Sequence, residues 1–467
     1  MKKILCLIVI IFQISFQSST SNSFLRFLQP GESPPSGGGS SSTNTQDYSD
    51  YQASKKVTST GTISSDLSST NSNESALYVG DNSSVTARVN SISITKSGDY
   101  SGSSVEPCEF YGLNAAILVN GAKAEITGTT VTTSAKGGNA IFVTNDGEIT
   151  VTNSNVSSTA TSSARGFHAT YGGKITGTNV TISTTGGSCA SLATDRGEGT
   201  VSCTKCTLST SGAGSPVIYS TGDITIEEST GNAQGAQMVV VEGKNSATVK
   251  SSTLQCTGVG NRNNVDKAGI MIYQSESGDA DSGKGSFTAS DSTMEIISSS
   301  SVYSSAPMFF VTNTEATITL SNVIFKYGSG IFIDIEGTDQ WGTSGSNGGV
   351  ITMTVTGQTI EGDIVVDDYS SLSLTLSSSS SFTGKINAAK SSGTVSITID
   401  ASSKLTLTGD SYVTTLTNAD SSGSNIEKGD YSLNVGTISN DNDSDSDSKG
   451  SYLKGFFIEL IILILFL

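Results

Sequence analysis

The sequence predicts an all-β fold, a right-handed parallel β-helix in which one chain winds through coils of about 22–26 residues. Two observations support this prediction: short strands recur in a fixed order, and apolar residues lack helical periodicity. The first strand of successive coils begins at positions 116, 140, 166, 190, 216 and 238. A single coil cannot bury its apolar side chains alone, so the coils must stack on one another.

Each predicted coil contains three short strands separated by polar turns. Examples are Ala140-Ile-Phe-Val143 for the first strand, Glu148-Ile-Thr-Val151 for the second and Asn179-Val-Thr-Ile182 for the third. Val, Ile and Thr dominate these segments, which is typical of strands. Wider spacing in the later coils predicts loops inserted at one corner. An antiparallel β-sandwich array is the alternative, because hairpin-type pairs such as Asn120-Gly121 also occur.

The N-terminal part of the chain predicts export. Residues 1–21 have the pattern of a secretory signal peptide, with Lys2 and Lys3 preceding an apolar run. Residues 22–56 are rich in Ser, Gly and Pro and are predicted to form a disordered stalk. The β-helix is expected to occupy residues 57–435.

The C-terminal part predicts attachment to a membrane. Residues 436–454 form an acidic Ser/Asp linker, and residues 455–467 form a hydrophobic tail. This order is the pattern of a GPI-anchor signal, with Ser444 and Ser446 as candidate attachment sites. A short transmembrane tail is the alternative. Both interpretations place the protein in the secreted pathway, on the outer face of the plasma membrane or cell surface.

Composition narrows the range of partners. The chain has 42 acidic and 25 basic residues, a formal net charge of -17. An acidic surface repels phosphate backbones, which argues against nucleic acid as a partner. Only 14% of the residues are charged, so Ser, Thr, Asn and Gly must supply most of the polar surface. Five N-glycosylation sequons occur, at Asn73, Asn82, Asn155, Asn179 and Asn442, and the first four are the predicted glycosylation sites.

Charged residues recur at the corner that follows the first strand of several coils. The aligned residues are Asp195, Arg196, Thr221, Glu242, Lys244, Glu276, Asp279 and Asp281. Equivalent corners of a β-helix lie about 5 Å apart, so these side chains are predicted to form one stacked column. Neighbouring carboxylates repel unless a cation lies among them, and calcium is therefore a candidate ligand of Glu276, Asp279 and Asp281. No cofactor is otherwise required.

The same corner offers groups that suit carbohydrate. Asp195, Arg196, Glu242 and Lys244 are candidate ligand-binding residues, because Arg and Lys can pair with a uronate carboxylate. Ordinary surface ion pairing is the alternative. The rings of Tyr273 and Trp341 are candidates for stacking on sugars. For Trp341 the alternative is a structural role as a loop anchor. His168, the single histidine, is expected to pack within a strand rather than to act in catalysis.

Several coil units resemble microbial surface proteins with pectin-lyase-like right-handed β-helices. The resemblance rests on segments such as Thr194-Asp-Arg-Gly-Glu-Gly199 and Tyr273-Gln-Ser-Glu-Ser-Gly-Asp279 and covers about residues 74–415. It implies an adhesin-like or carbohydrate-binding protein whose partner is an extracellular polysaccharide or glycoprotein. The architecture also hosts lyases, hydrolases and inert stalks.

Three functions follow as hypotheses. The first is a lipid-anchored surface protein for carbohydrate binding or adhesion. The second is a calcium-dependent lyase of acidic glycans, in which Arg196 or Lys244 would take a proton and calcium would stabilise the enolate. The third is a structural coat protein without a ligand. The lack of a second histidine and the low charge density favour the first and third over the second.

Overall fold

The computed structural model describes residues 43–80, 82–261 and 264–436. The predicted signal peptide, most of the stalk, Ser444, Ser446 and the hydrophobic tail lie outside these residues. The described chain is a parallel β-helix with three strands in each regular coil. Every pairing between its strands is parallel, which excludes the antiparallel sandwich.

Three long sheets, named here A, B and C, form the sides of the described helix. The strands of sheet A are Gln52–Val57, Glu74–Gly80, Ile117–Asn120, Ile141–Thr144, Phe167–Ala169, Leu192–Thr194, Ile218–Ser220, Val239–Glu242, Ile270–Tyr273, Phe309–Thr312, Ile331–Ile335 and Asp363–Val366. The strands of sheet B are Gly61–Ile63, Thr86–Asn90, Lys123–Thr127, Glu148–Thr152, Gly173–Thr178, Gly199–Thr204, Asp223–Glu227, Ser246–Lys250, Lys284–Ser290, Thr314–Ser321, Gly349–Thr356, Ser371–Ser377, Thr394–Ile399 and Thr415–Asn418.

Sheet C is shorter than the other two and is followed by smaller sheets. Its strands are Leu67–Ser69, Ser93–Lys96, Thr130–Thr133, Asn155–Ser158, Thr181–Thr184, Thr207–Thr210, Thr230–Ala233, Thr253–Cys256, Thr293–Ile296 and Ile324–Lys326. Later coils pair Thr359–Glu361, Ser381–Gly384, Lys404–Leu407 and Ile426–Glu427, and then Ser411–Val413 with Leu433–Val435. The described residues contain one α-helix, α1, at Glu106–Tyr111, within the connection between two coils.

The interior is a continuous apolar core. Inward side chains alternate with outward ones along sheet B, as in Ser371–Ser377, where Leu372, Leu374 and Leu376 are buried. Burying each such side chain contributes roughly 1.5–3 kcal/mol. The core also contains Phe309, whose ring meets those of neighbouring phenylalanines at 5.4–5.8 Å. The five described cysteines are buried and free.

The corner between sheets B and C repeats with the same backbone conformation in most coils. Residues such as Asn153, Asn179 and Glu228 have φ near 50° there, the left-handed region that lets the chain turn sharply. The next position is often a buried serine that accepts an N–H from the coil before it. Examples are Ser229, which accepts from Cys206 at 3.0 Å, and Ser252, which accepts from Ser229 at 3.0 Å. The corner therefore aligns each coil on its neighbour.

Folded structure is present ahead of the boundary expected at residue 57. Gln52–Val57 is the first strand of sheet A and pairs with Glu74–Gly80. Ahead of it, Tyr48 and Tyr51 are buried against Tyr78, with ring centroids 6.4 and 5.7 Å away. Residues 43–56 are thus part of the folded unit. The Ser/Gly-rich composition predicted disorder because it outweighed Tyr48 and Tyr51, whose rings are stabilised by burial.

Replacing Phe309 by alanine is expected to remove about 3–5 kcal/mol from the free energy of unfolding, because the ring leaves a cavity among packed aromatic neighbours. Chemical denaturation followed by circular dichroism measures this change. Ile324→Ala is the control, since Ile324 is 58% exposed and its truncation should have little effect. Equal destabilisation by the two variants would contradict the assignment of Phe309 to the core.

Candidate functional site

The outer face of sheet A is covered from Ile117–Asn120 to Phe309–Thr312. Strands such as Ile141–Thr144 and Ile270–Tyr273 are buried at every position, whereas strands of sheet B alternate. The covering segments are residues 43–51, α1 and the loops 274–283 and 337–348. Because this face is closed by its own chain, the charged corner predicted there lies largely inside the protein.

Helix α1 is held over sheet A by polar contacts to its backbone. Asn139 Nδ2 donates to the Cys108 carbonyl at 2.8 Å, and Thr170 Oγ1 donates to the Phe110 carbonyl at 3.0 Å. The helix ends at Gly112, which has φ of 72°. A Cβ there would lie 2.3 Å from the ring of Phe142, so the chain needs glycine at this turn.

A buried ionic network lies beneath α1. Arg165 Nη1 is 3.2 Å from Glu109 Oε1, and both side chains are 1% exposed. Arg165 Nη2 and His168 Nε2 each lie 3.8 Å from Asp195 Oδ2. Asn139 Oδ1 accepts a hydrogen bond from the backbone N–H of Arg165 at 2.9 Å and lies 3.3 Å from His168 Nδ1. Asp195 is therefore a structural partner of Arg165 rather than a group open to a glycan.

Arg196 is also occupied by the protein itself. Its Nε and Nη2 donate to Asp279 Oδ1 at 3.1 and 3.0 Å, and its guanidinium lies 3.8 Å from the centre of the Phe110 ring. This contact joins α1 to the loop 274–283.

The Lys244 ammonium is exposed and lies 2.6 Å from Glu198 and 3.2 Å from Asp281. Both cations predicted to bind a uronate are already paired with carboxylates.

Glu242 is enclosed by hydroxyl groups. Its Oε2 accepts hydrogen bonds from Tyr219 at 2.6 Å and Tyr273 at 2.7 Å, and its Oε1 accepts one from Ser275. Burial and the nearby Asp279 raise the pKa of Glu242. Tyr273 is 1% exposed, so neither this carboxyl nor this ring presents itself to a sugar.

The predicted column is correct in its first part and ends at a different residue. Ala193, Tyr219 and Val240 pair in register, which places Asp195, Thr221 and Glu242 at equivalent positions two residues later. The next member is Tyr273, which pairs with Glu242. Glu276, Asp279 and Asp281 lie in the loop beyond this strand, so the strand register does not align them.

The three carboxylates predicted to bind calcium are not brought together. Asp279 pairs with Arg196 and Asp281 with Lys244, while Glu276 is exposed. Within residues 43–80, 82–261 and 264–436, no three His, Cys, Asp or Glu side chains are grouped so as to hold a metal ion. The loop instead pairs Asp279 and Asp281 with two different cations and leaves Glu276 at the surface.

Trp341 anchors a loop instead of offering its ring to a ligand. It is 2% exposed and meets the Tyr273 ring edge-on, with centroids 5.3 Å apart. The sequon residues behave as expected for surface positions: Asn73, Asn82, Asn155 and Asn179 are all exposed.

Sheet B presents a different kind of surface, which sequence reasoning did not single out. From Glu148–Thr152 onward, one outward residue from each successive strand falls in a single column, and nearly every one is threonine; before that strand the column continues with Glu125 and Arg88. The column, in register, is Thr150, Thr176, Ser202, Thr225, Thr248, Thr288, Thr319, Thr354, Thr375, Thr398 and Thr417. Each of these residues is partly or fully exposed.

In the later coils the flanking columns are also hydroxyl residues. From Lys284–Ser290 to Ser371–Ser377 the outward triplets are Ser286, Thr288, Ser290; Thr317, Thr319, Ser321; Thr352, Thr354, Thr356; and Ser373, Thr375, Ser377. These triplets and the threonine column are called the Ser/Thr face below. Neighbouring coils are about 4.8 Å apart and alternate residues about 6.7 Å apart, so the hydroxyls form a regular grid.

The threonine column of the Ser/Thr face has hydroxyls available to a ligand, whereas at its flank Ser377 donates to the Val355 carbonyl at 3.1 Å. In the part of the chain that the structure describes, the hydroxyls of the threonine column donate no hydrogen bond to protein. The four triplets contain no charged side chain. A sequence signal existed, because Thr-x-Thr recurs in second strands such as Thr352-Met-Thr354-Val-Thr356. Only the strand register shows that these threonines are neighbours.

Comparison with known proteins provides no relatives for this chain: no family model matches it, and no curated protein matches its sequence. Within the described residues, no helix is both long enough and apolar enough to cross a membrane.

Removing the central cation of the buried network tests its structural role. Arg165→Met leaves Glu109 and Asp195 buried without their cation, and it is expected to lower the free energy of unfolding by about 3–5 kcal/mol. Denaturant titration measures this loss. Lys205→Met is the matched control, because the pair of Lys205 with Glu228 at 3.7 Å is exposed and its loss should change little. A stable Arg165→Met protein would contradict the network.

The single histidine gives a pH prediction. Burial, with Arg165 nearby, holds the pKa of His168 well below its ordinary value. The unfolded chain takes up this proton below about pH 6.5 and the folded chain does not, so stability present above pH 6.5 is lost as pH falls. The loss approaches about 1.4 kcal/mol for each pH unit.

Thermal melts of the wild type and of His168→Gln between pH 8 and pH 5 isolate this contribution. The difference in stability between the two proteins should shift against the wild type below pH 6.5. A constant difference across the range, or an imidazole NMR signal that titrates near pH 6.5 in the folded protein, would contradict a neutral buried His168.

Proposed function

We propose that this protein is a cell-surface β-helix of the pectin-lyase-like type that binds extracellular carbohydrate through the Ser/Thr face. The observation that supports the proposal is the uncharged grid of hydroxyls in register along sheet B. The predicted export signal and lipid anchor would place this grid outside the cell. The partner would be a neutral polysaccharide, because the four triplets offer no charge to pair with an acidic one.

The geometry suits a flat and ordered ligand. Each threonine presents a hydroxyl, which can exchange hydrogen bonds with sugar hydroxyls, and a methyl group, which can contact a sugar ring. A single exchange contributes only about 0.5–1.5 kcal/mol. Strands in a sheet are already ordered, so many such contacts form without a large loss of conformational entropy. Binding would therefore depend on the number of coils engaged at once.

The lyase hypothesis has less support at the corner where it was placed. Arg196 would have to leave Asp279, and Lys244 would have to leave Glu198 and Asp281, before either could take a proton from a substrate. The described carboxylates of that corner also do not converge on a metal position.

Sedimentation with insoluble neutral polysaccharides, cellulose and chitin, tests the proposal. The wild type should bind one of them, and Thr354→Lys should weaken binding at least tenfold by placing a long charged chain at the centre of the grid. Ser183→Lys is the matched control, because Ser183 points outward from sheet C. Equal binding by all three proteins, or no binding by the wild type, would contradict the proposal.

Ice is a second candidate ligand, favoured by the regularity of the grid in two directions. Ordered water presents oxygen atoms at repeats of similar size, and each threonine offers a hydroxyl and a methyl group at one lattice point. The expected result is inhibition of ice recrystallisation by the wild type and its loss in Thr354→Lys. Activity that survives the substitution, or its absence in the wild type, would remove this candidate.

A further inference from the structure

A preformed groove lies beside sheet A, where two of its strands turn into sheet B. It has a volume of about 340 Å³ and lies beside the strands Ile331–Ile335 and Asp363–Val366. The loop 337–348 lines most of it, and Tyr369, which lies against Gly345 of that loop, also lines it. A volume of this size is within the usual range for sites that bind small molecules.

The loop that forms the groove is held by contacts within itself and to neighbouring coils. Trp341 is buried at its base, and Asn347 Nδ2 donates to the carbonyls of Thr338 and Trp341, each at 2.6 Å. Gly342 has φ of 73°, and a Cβ there would lie 2.2 Å from Asn313 Oδ1, so the turn depends on glycine. A ligand would meet a wall that is already ordered, which lowers the entropic cost of binding.

The groove offers an aromatic face. Tyr369 is 58% exposed, among the most exposed large apolar side chains in the described residues. Its backbone N–H donates to Asp367 Oδ1 at 3.1 Å, and Gly345 stands opposite its ring without a side chain to cover it. An open tyrosine ring beside a cavity is suited to stacking on a sugar, because the ring is apolar and its hydroxyl remains hydrated.

The groove is also acidic. Glu336 and Asp339 line it, and Asp334 and Asp367 lie beside Glu336. Burial, with Glu336 and Asp367 nearby, raises the pKa of Asp334 to about 7, and burial and Asp367 raise the pKa of Glu336. Lys267 is the cation that offsets these shifts. In the described chain, Asp334, Glu336 and Asp339 form no ion pair within 4.0 Å. A positively charged ligand would relieve the repulsion among these carboxyls.

We propose that this groove binds a protonated amino sugar, with the sugar ring on Tyr369 and the ammonium group between Glu336 and Asp339. The side-chain amides of Gln340 and Asn347 line the same cavity and can meet ring hydroxyls. This site is independent of the Ser/Thr face, and it would give the protein a preference for deacetylated, cationic glycans over neutral or acidic ones.

Titration of the full chain with short glucosamine oligosaccharides tests the proposal. Trp341 is the only tryptophan and lies in the groove loop, so its fluorescence reports binding. Calorimetry provides an independent measurement. The free-amine oligomer should bind at least tenfold more tightly than the N-acetylated oligomer of the same length. Glu336→Gln and Tyr369→Ala should each weaken binding of the free amine at least tenfold.

Matched controls separate local effects from general ones. Glu361→Gln removes an exposed carboxylate and Tyr431→Ala an exposed tyrosine, both outside the groove lining, and neither should change the affinity. Thr354→Lys should also leave it unchanged, so failure of the groove and failure of the Ser/Thr face are distinguishable. Equal affinity for the two oligomers, no binding of either, or full affinity in Glu336→Gln would overturn the proposal.

Discussion

The register of one coil on the next is the constraint on which the rest of this structure depends. Parallel backbone hydrogen bonds link equivalent residues of successive coils, and left-handed corners such as Asn153 and Asn179 return the chain to the same place. Any side chain is then stacked on its counterpart about 4.8 Å away. The residue types at one position of the coil therefore form a continuous column along the molecule, and their effect on stability, favourable or unfavourable, is repeated in each coil.

The outward columns of sheets A and B differ in residue type, apolar on sheet A and hydroxyl-bearing on sheet B, and this difference decides whether the face needs a cover. On sheet A the stacked positions include Phe142, Tyr219, Met271 and Phe310, which would form an exposed apolar stripe. Inserted segments cover that stripe, and their polar groups must be paired because they become buried. The contacts of Arg165 with Glu109 and of Arg196 with Asp279 satisfy this need. Sheet B has hydroxyl residues at its stacked positions, so it stays exposed without a cover.

Individual residues show how far sequence reasoning reaches into the candidate sites. The equivalence of Asp195, Thr221 and Glu242 could be read from repeat spacing, because a column depends only on counting residues within coils. The partners of these side chains could not, because α1 and the loop 274–283 fold back over the corner from distant positions. The same holds for Trp341, whose burial depends on Tyr273, a residue of another coil. The Ser/Thr face could have been predicted in the same way, by counting residues within the second strands of the coils instead of the first strands.

By itself, the sequence determined the class of fold, the three strands of a coil and the direction in which each side chain points, but it predicted inserted loops at one corner, whereas they occur both between sheets C and A and between sheets A and B. These properties are local, since they follow from alternation and from the length of one repeat. The tertiary structure decided which outward face is covered, which charges are neutralised and where a groove remains open. Those outcomes depend on how long loops pack against coils far away in the chain, and local residue patterns contain no information about such contacts.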